Sequence, residues 1–168
     1  MRKCSAVAVV LFCAGCASGP PEWVASPAAE GGLAATDCVR DSGKLSLDRQ
    51  IALAKARAGI ARQFEQRVNA MDKAYARLKE PGAATQPGAA TPFAGASKPV
   101  AEQMLGGLPP ARVEYVEIED VRNLCAMVTL EAGQMRPVFD RLVQASGETP
   151  DEPTGELLYR EFAGTAAP

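Results

Sequence analysis

Between Ser46 and Leu78 apolar side chains recur in steps of three and four: Leu47, Ile51, Ala54, Ala58, Ala61, Phe64, Val68, Met71, Tyr75 and Leu78. That spacing predicts one face of a long α-helix. Arg49, Lys55, Arg62, Glu65, Gln66, Arg67 and Lys73 fall elsewhere on it. Their mixed signs read as a solvated face rather than a membrane-binding one. Ser46 reads as the N-cap, Asp48 sets a negative charge in the first turn, and Pro81-Gly82 end the helix. Small Ala54, Ala58 and Ala61 suit close approach to a sheet and do not suit a coiled-coil seam, which wants larger residues. At ~1.5 Å per residue the helix is about 50 Å long, more than a small sheet covers. Its C-terminal turns are expected to project, to bend near Asn69 or to pack on something else, and as the overhang beyond the sheet they make Phe64, Met71 and Tyr75 the expected partner contacts.

The other segments are short. Residues 31–39 alternate weakly through Leu33, Ala35 and Val39 and predict a first strand, followed by a turn at Asp41-Ser42-Gly43. Residues 112–119 predict a second strand whose phase slips near Tyr115–Val116, and a turn at 120–123 follows. Residues 123–130 alternate cleanly, with Leu124, Ala126, Val128 and Leu130 on one face and Cys125, Met127 and Thr129 on the other. These two strands predict a hairpin. A short helix is expected over 99–108, with Pro99 in its first turn. A last helix is expected over 131–145, regular from Pro137, with Val138, Leu142 and either Val143 or Phe139 inward. The stretch 80–98 repeats GAAT and is rich in Pro, Gly and Ala, so residues 82–98 read as a flexible insert in which only Phe93 can dock. Residues 147–168 read as a disordered acidic tail, with one docking turn at Leu157-Leu158-Tyr159 and Phe162.

The amino terminus changes the picture most. Arg2 and Lys3 precede an apolar run from Cys4 to Ala14, the pattern of a secretory signal and shorter than the roughly 20 residues a membrane span needs. Ala14-Gly15-Cys16 resembles the lipobox of bacterial lipoproteins, with Cys13 standing where Leu is usual. Residues 1–15 are then a signal peptide, Cys16 is the lipidated residue, carrying palmitate-type chains, and residues 16–30 are a tether to a periplasmic domain over 31–146. Ala17, by resemblance to enterobacterial sorting, favours the outer membrane; the inner membrane and the cell surface stay open. Cys13 and Cys16 also form a C-x-x-C, but processing would divide it. The tether is stiffened by Pro20, Pro21 and Pro27. Within it Trp23 either pins the domain's start to its core or meets a partner or lipid.

Composition excludes more than it assigns. The 168-residue chain has no His, so the commonest general base is missing. Aromatics are 5% of residues and net charge is −2, falling to about −4 without Arg2 and Lys3, so no basic footprint for nucleic acid exists. Glu114, Glu117, Glu119 and Asp120 read as a solvated strand face, not a metal or acid–base site. Neither a phosphate-binding loop nor a nucleophile elbow occurs, and no cofactor or metal is expected. Cys38 and Cys125 remain for the mature domain. If the first strand lies beside the third, they can pair in an oxidising compartment; otherwise they are small buried thiols.

Pro21-Glu22-Trp23-Val24, the stretch Ala54-Lys55-Ala56-Arg57-Ala58-Gly59-Ile60-Ala61 and the alternating strand Cys125–Leu130 resemble the LPP20 family of bacterial outer-membrane lipoproteins over about residues 20–145. The resemblance implies a two-layer α+β domain, a small antiparallel three-stranded sheet packed on one long helix, here with a C-terminal helix. The family includes antigens of unknown role and proteins associated with flagellar basal structures; with the lipobox, the absence of His and the small domain, the expectation is a non-enzymatic role through protein contacts in envelope or flagellar assembly. A periplasmic ligand-binding or regulatory module is the alternative. Exposed strand edges suggest a homodimer.

Overall fold

The computed structural model describes residues 19–79 and 92–164. Its elements in order are α1 (Glu22–Ala25), β1 (Leu33–Arg40), α2 (Leu45–Lys79), α3 (Pro92–Leu105), β2 (Pro110–Ile118), β3 (Val121–Leu130), α4 (Ala132–Ser146) and α5 (Glu152–Ala163). The fold is α+β. The three strands form an antiparallel sheet in the order β1-β3-β2, and α2 packs across β1 and β3.

The register explains which side chains meet α2. Leu33, Ala35 and Val39 of β1 stand opposite Leu130, Val128 and Leu124 of β3, all on the face toward the helix. Ala52, Ala56, Ile60, Phe64, Val68, Met71 and Tyr75 are the buried line of α2. The helix lies close: a Cβ on Gly59 would stand 2.7 Å from the Ala35 Cβ. Gln63 Nε2 donates to the Ala34 carbonyl at 2.7 Å, and Arg67 reaches the carbonyls of Gly32 and Phe162.

The second half of α2 does not overhang. α3 and α5 cover it, so Phe64, Met71 and Tyr75 are core residues and not partner contacts. Phe64 meets Phe162 edge-on at 5.7 Å between ring centres, and Tyr75 meets Phe93 at 5.2 Å. The expected stripe is corrected in the first half as well. Leu47, Ile51, Ala54 and Ala58 face solvent, and the line two residues away is the buried one. The helix also begins one residue before Ser46. The buried Asp48 carboxylate accepts from the Ser42 amide at 3.0 Å and hydroxyl at 2.7 Å, tying the turn to the helix start.

Four further expectations shift. α3 starts at Pro92, so residues 92–98 of the expected insert are helical, with Pro99 inside the helix and Phe93 fully buried. Its first amides, of Phe93 and Ala94, donate to the buried Asp72 carboxylate of α2 at 3.3 and 2.9 Å. A side chain from a neighbouring helix thus does the work of a cap. Residues 82–91 lie outside the described residues. The slip in β2 falls between Pro110 and Arg112, not at Tyr115–Val116. The hairpin turn is Glu119–Asp120, both at positive φ, with Val121 already in β3. Two residues in the left-handed region match the twist of antiparallel strands.

The expected disordered tail contains α5. Asp151 caps it by accepting from the Thr154 amide at 3.3 Å, and Gly164 ends it in the left-handed conformation. Leu158 and Phe162, one turn apart, are buried as the docking-turn reading anticipates, but on a 12-residue helix. α4 starts at Ala132 with the Gln134 side chain accepting from the Glu131 amide at 3.0 Å, and Met135 joins Val138, Phe139 and Leu142 in the core.

Candidate functional surfaces

Cys16, the expected lipidation site, lies outside the described residues. The described chain enters the domain at α1, which crosses the sheet face opposite α2. Trp23 is half-buried there. Its carbonyl accepts from Thr36 Oγ1 at 2.7 Å, and the Arg112 guanidinium sits 4.8 Å from its ring centre. These contacts give Trp23 the anchor role. Its indole Nε1 is buried without a hydrogen-bond partner among the described residues.

Cys38 and Cys125 are directly opposite in the β1–β3 register and are joined as a disulfide across 87 positions of sequence. The bond lies on the same sheet face as Trp23, away from α2. Its place needed the first strand to lie beside the third, and it does.

Among the described residues no group of three or more His, Cys, Asp or Glu could hold a metal ion. Glu114, Glu117, Glu119 and Asp120 are exposed, and Glu114 pairs with Arg112 at 2.8 Å. The one polar cluster that shifts several ionisations joins α2 to the α4–α5 loop. The buried Tyr75 ring brings its hydroxyl to the surface beside Glu148, to which it donates, and Lys79 Nζ lies 3.0 Å from the same carboxylate. Hydrogen bonds from Tyr75 and then Lys79 hold the Glu148 carboxyl below its usual range. Burial, then the bond to Glu148, pushes the Tyr75 phenol up. The bonds to Tyr75 and Glu148 raise Lys79. The cluster clamps α2 to the α4–α5 loop. Arg67, desolvated between two carbonyls, is lowered by burial alone and closes the C-terminal end of α5.

Two open grooves stand out among the described residues. One, of about 370 Å³, runs between α2 and α5 and is lined by Gln66, Asn69, Lys73, Arg77 and Glu161. The other, of about 280 Å³, follows the free edge of β1 past Pro27, Asp37, Lys55 and Arg62. Both are open to solvent and carry charged side chains at their rims.

The two sheet edges differ. Cys38 and Cys125 have Cα atoms 4.0 Å apart, which marks a pair that does not exchange backbone hydrogen bonds. Alternation then turns the amides and carbonyls of Ala34, Thr36 and Cys38 outward on β1, where Gln63 takes the Ala34 carbonyl. The same alternation pairs Glu114 with Cys125 and turns those of Val113, Tyr115 and Glu117 outward on β2. Among the described residues no helix packs extensively on β2, whose main neighbour is β3, with Arg112 reaching Trp23 of α1 on the opposite face. The helix-side surface of β2 is therefore a ledge beside α2. Tyr115 is 39% exposed on it, with Arg122 stacked 3.9 Å from its ring centre. Helical spacing sets Leu45, Arg49 and Leu53 on the same side of α2 as Arg57. One turn further on, Arg57 bonds the Leu108 carbonyl at 2.7 Å just before β2. Leu45 is 54% exposed.

The sequence names neither the ledge nor the exposed row, since both depend on which strand α2 leaves uncovered. No helix among the described residues is long and apolar enough to cross a membrane. Comparison of the chain with family models, with curated proteins and with solved structures finds no match.

Proposed function

We propose that this chain is an outer-membrane lipoprotein, anchored through Cys16, whose periplasmic α+β domain acts through protein contacts in envelope or flagellar assembly and not by catalysis. The observation that carries this reading is Cys16 itself, set after a charged start, an apolar run and two small residues. The domain begins six residues later at Glu22. Six residues reach at most about 20 Å, so the sheet face carrying α1 would stay close to the bilayer. The helical layer, with exposed Leu47, Ile51, Ala54 and Ala58, would face the periplasm. Several acyl chains give the stable anchoring that a single chain does not.

The test is intact-mass measurement of the processed protein together with fractionation of the envelope. A mature chain starting at an acylated Cys16, with release from membranes in Cys16→Ser, is the expected result. An unmodified Cys16 in a cytoplasmic chain ends this reading. The groove between α2 and α5, which sets Lys73 and Arg77 beside Asn69, supports the alternative of a ligand-binding module. Native mass spectrometry of the purified chain would then show a bound small molecule that Lys73→Ala/Arg77→Ala loses.

A further inference from the structure

We infer that β2 is the seam of a symmetric homodimer, in which two copies join antiparallel through this edge into one six-stranded sheet. The edge is built for pairing over its regular part. Residues 112–118 follow the ladder with β3 without interruption, and the amides and carbonyls of Val113, Tyr115 and Glu117 point away from it. The β1 edge is partly closed by Gln63 and by Arg67, which reaches the Gly32 carbonyl. Among the described residues the β2 edge has no such cover, and an open edge offers a template for another strand.

A two-fold axis at Tyr115 uses the whole regular segment. Tyr115 then meets Tyr115 of the second copy, Val113 meets Glu117, Glu114 meets Val116 and Arg112 meets Ile118. No like charges stand directly opposite. Moving the axis one residue toward the chain start sets Glu114 against Glu114, which is repulsive at cross-strand distance. Moving it the other way shortens the paired segment.

The helix-side surface selects a second copy over an isolated peptide. A peptide strand would occupy the edge but leave Leu45 and the ledge in water. A second copy brings its own α2 to the far side of the joined ledge. Leu45, Leu53 and Tyr115 of both chains then line one trough between two helices, so one operation pairs the edge and covers the apolar row. An axis perpendicular to the sheet also keeps both α1 segments on one face. With the lipid anchor of the proposed function, both Cys16 residues would enter the same bilayer; the seam itself does not depend on that anchor.

The experiment is sedimentation velocity of the full chain in density-matched detergent, alongside Glu117→Pro. Glu117 is exposed, and proline there removes an outward amide that an edge strand can spare. The native chain is expected at twice the 17.6 kDa of one copy, and Glu117→Pro at 17.6 kDa with an unchanged circular dichroism spectrum. In parallel, Tyr115→Cys should give a covalent dimer on a non-reducing gel, while Leu157→Cys, equally exposed on α5, should not. A native chain that sediments as one copy overturns the seam. So does a dimer that survives Glu117→Pro, or equal cross-linking by the two cysteine variants. None of these results bears on whether Cys16 is acylated.

Discussion

Replacing Gly59 by Ala sets two effects of opposite sign against each other. Gly59 lies well inside the 35-residue helix α2. Alanine there should favour the helix by about 1 kcal/mol, because it has less chain entropy to lose. Its Cβ, however, would lie 2.7 Å from the Cβ of Ala35. Carbon atoms pack at roughly 3.5–4.0 Å, so one of the two must retreat by about 1 Å. Ala35 cannot easily move. It is 5% exposed and paired with Val128 in the middle of β1. The helix must lift instead, loosening Ala56 and Ile60, which have no solvent exposure. Overpacking of this kind costs about 1–3 kcal/mol, so the net expectation is destabilisation of about 1 kcal/mol or slightly more.

Urea unfolding of the disulfide-intact chain measures this directly, read as a lower midpoint at unchanged slope. Gly155→Ala is the control. Its new Cβ meets only Pro150 Cγ at 4.0 Å, so propensity alone should raise the midpoint. Ala35→Gly combined with Gly59→Ala should recover part of the loss, with a favourable coupling of about 1 kcal/mol. A Gly59→Ala midpoint above that of the native chain would refute the close approach of α2 to β1.

Removing the disulfide by Cys38→Ala/Cys125→Ala frees a loop of 87 positions and should cost about 4–5 kcal/mol in the chain-entropy model, measured by urea unfolding; a loss under about 1 kcal/mol would show that the bond does not constrain the unfolded chain. Asp72→Ala strips the carboxylate from the first amides of α3 and should cost about 1–2 kcal/mol, with hydrogen exchange quickening first in α3; uniform quickening would contradict the capping role. Glu148 has a lowered pKa in the folded chain, so its contribution is present above the unfolded value near 4.5 and is lost as pH falls through the folded value. Glu148→Gln should therefore be less stable than the native chain at neutral pH, and the difference should shrink in acid; a gap that widens in acid would reverse the assigned sign.

The parts of the fold that sequence made legible are those where one physical signal acts alone. β3 alternates without interruption because one face meets α2 and the other carries Cys125 and Met127. The second half of α2 has a single line of large side chains, Phe64, Val68, Met71 and Tyr75, and that line is buried. What covers it was not legible. α3 begins inside a Pro, Gly and Ala-rich stretch whose composition argues for a linker, and its start is fixed by Asp72, twenty residues earlier. α5 carries its own signals, Asp151, Pro153, Gly164 and the i, i+4 pair Leu158 and Phe162, but they sit in a tail of disordered composition. The turn at Glu119–Asp120 lacks the Gly or Asn that usually marks positive φ. Of the candidate site, Cys16 lies outside the described residues, and the pairing of Cys38 with Cys125 needed only strand order. The β2 ledge needed the whole arrangement.

The first half of α2 shows most sharply why pattern alone was insufficient. Two apolar lines run along it at helical spacing, Leu47–Ile51–Ala54–Ala58 and Ala52–Ala56–Ile60. By hydrophobicity the first is the stronger and ought to be buried. By size the second is the one that fits. The helix passes β1 so closely at Gly59 that a Cβ there would force it to lift, and in the turns before this approach it is the small side chains of Ala52 and Ala56 that are buried. Leu47 and Ile51 in their place would prop the helix off β1 and break the reach of Gln63 and Arg67 to its backbone. Close packing therefore overrides the larger transfer gain of roughly 1.5–3 kcal/mol per buried Leu or Ile. The displaced line, 46% exposed at Leu47 and 40% at Ile51, stays on the surface because no other described element reaches it.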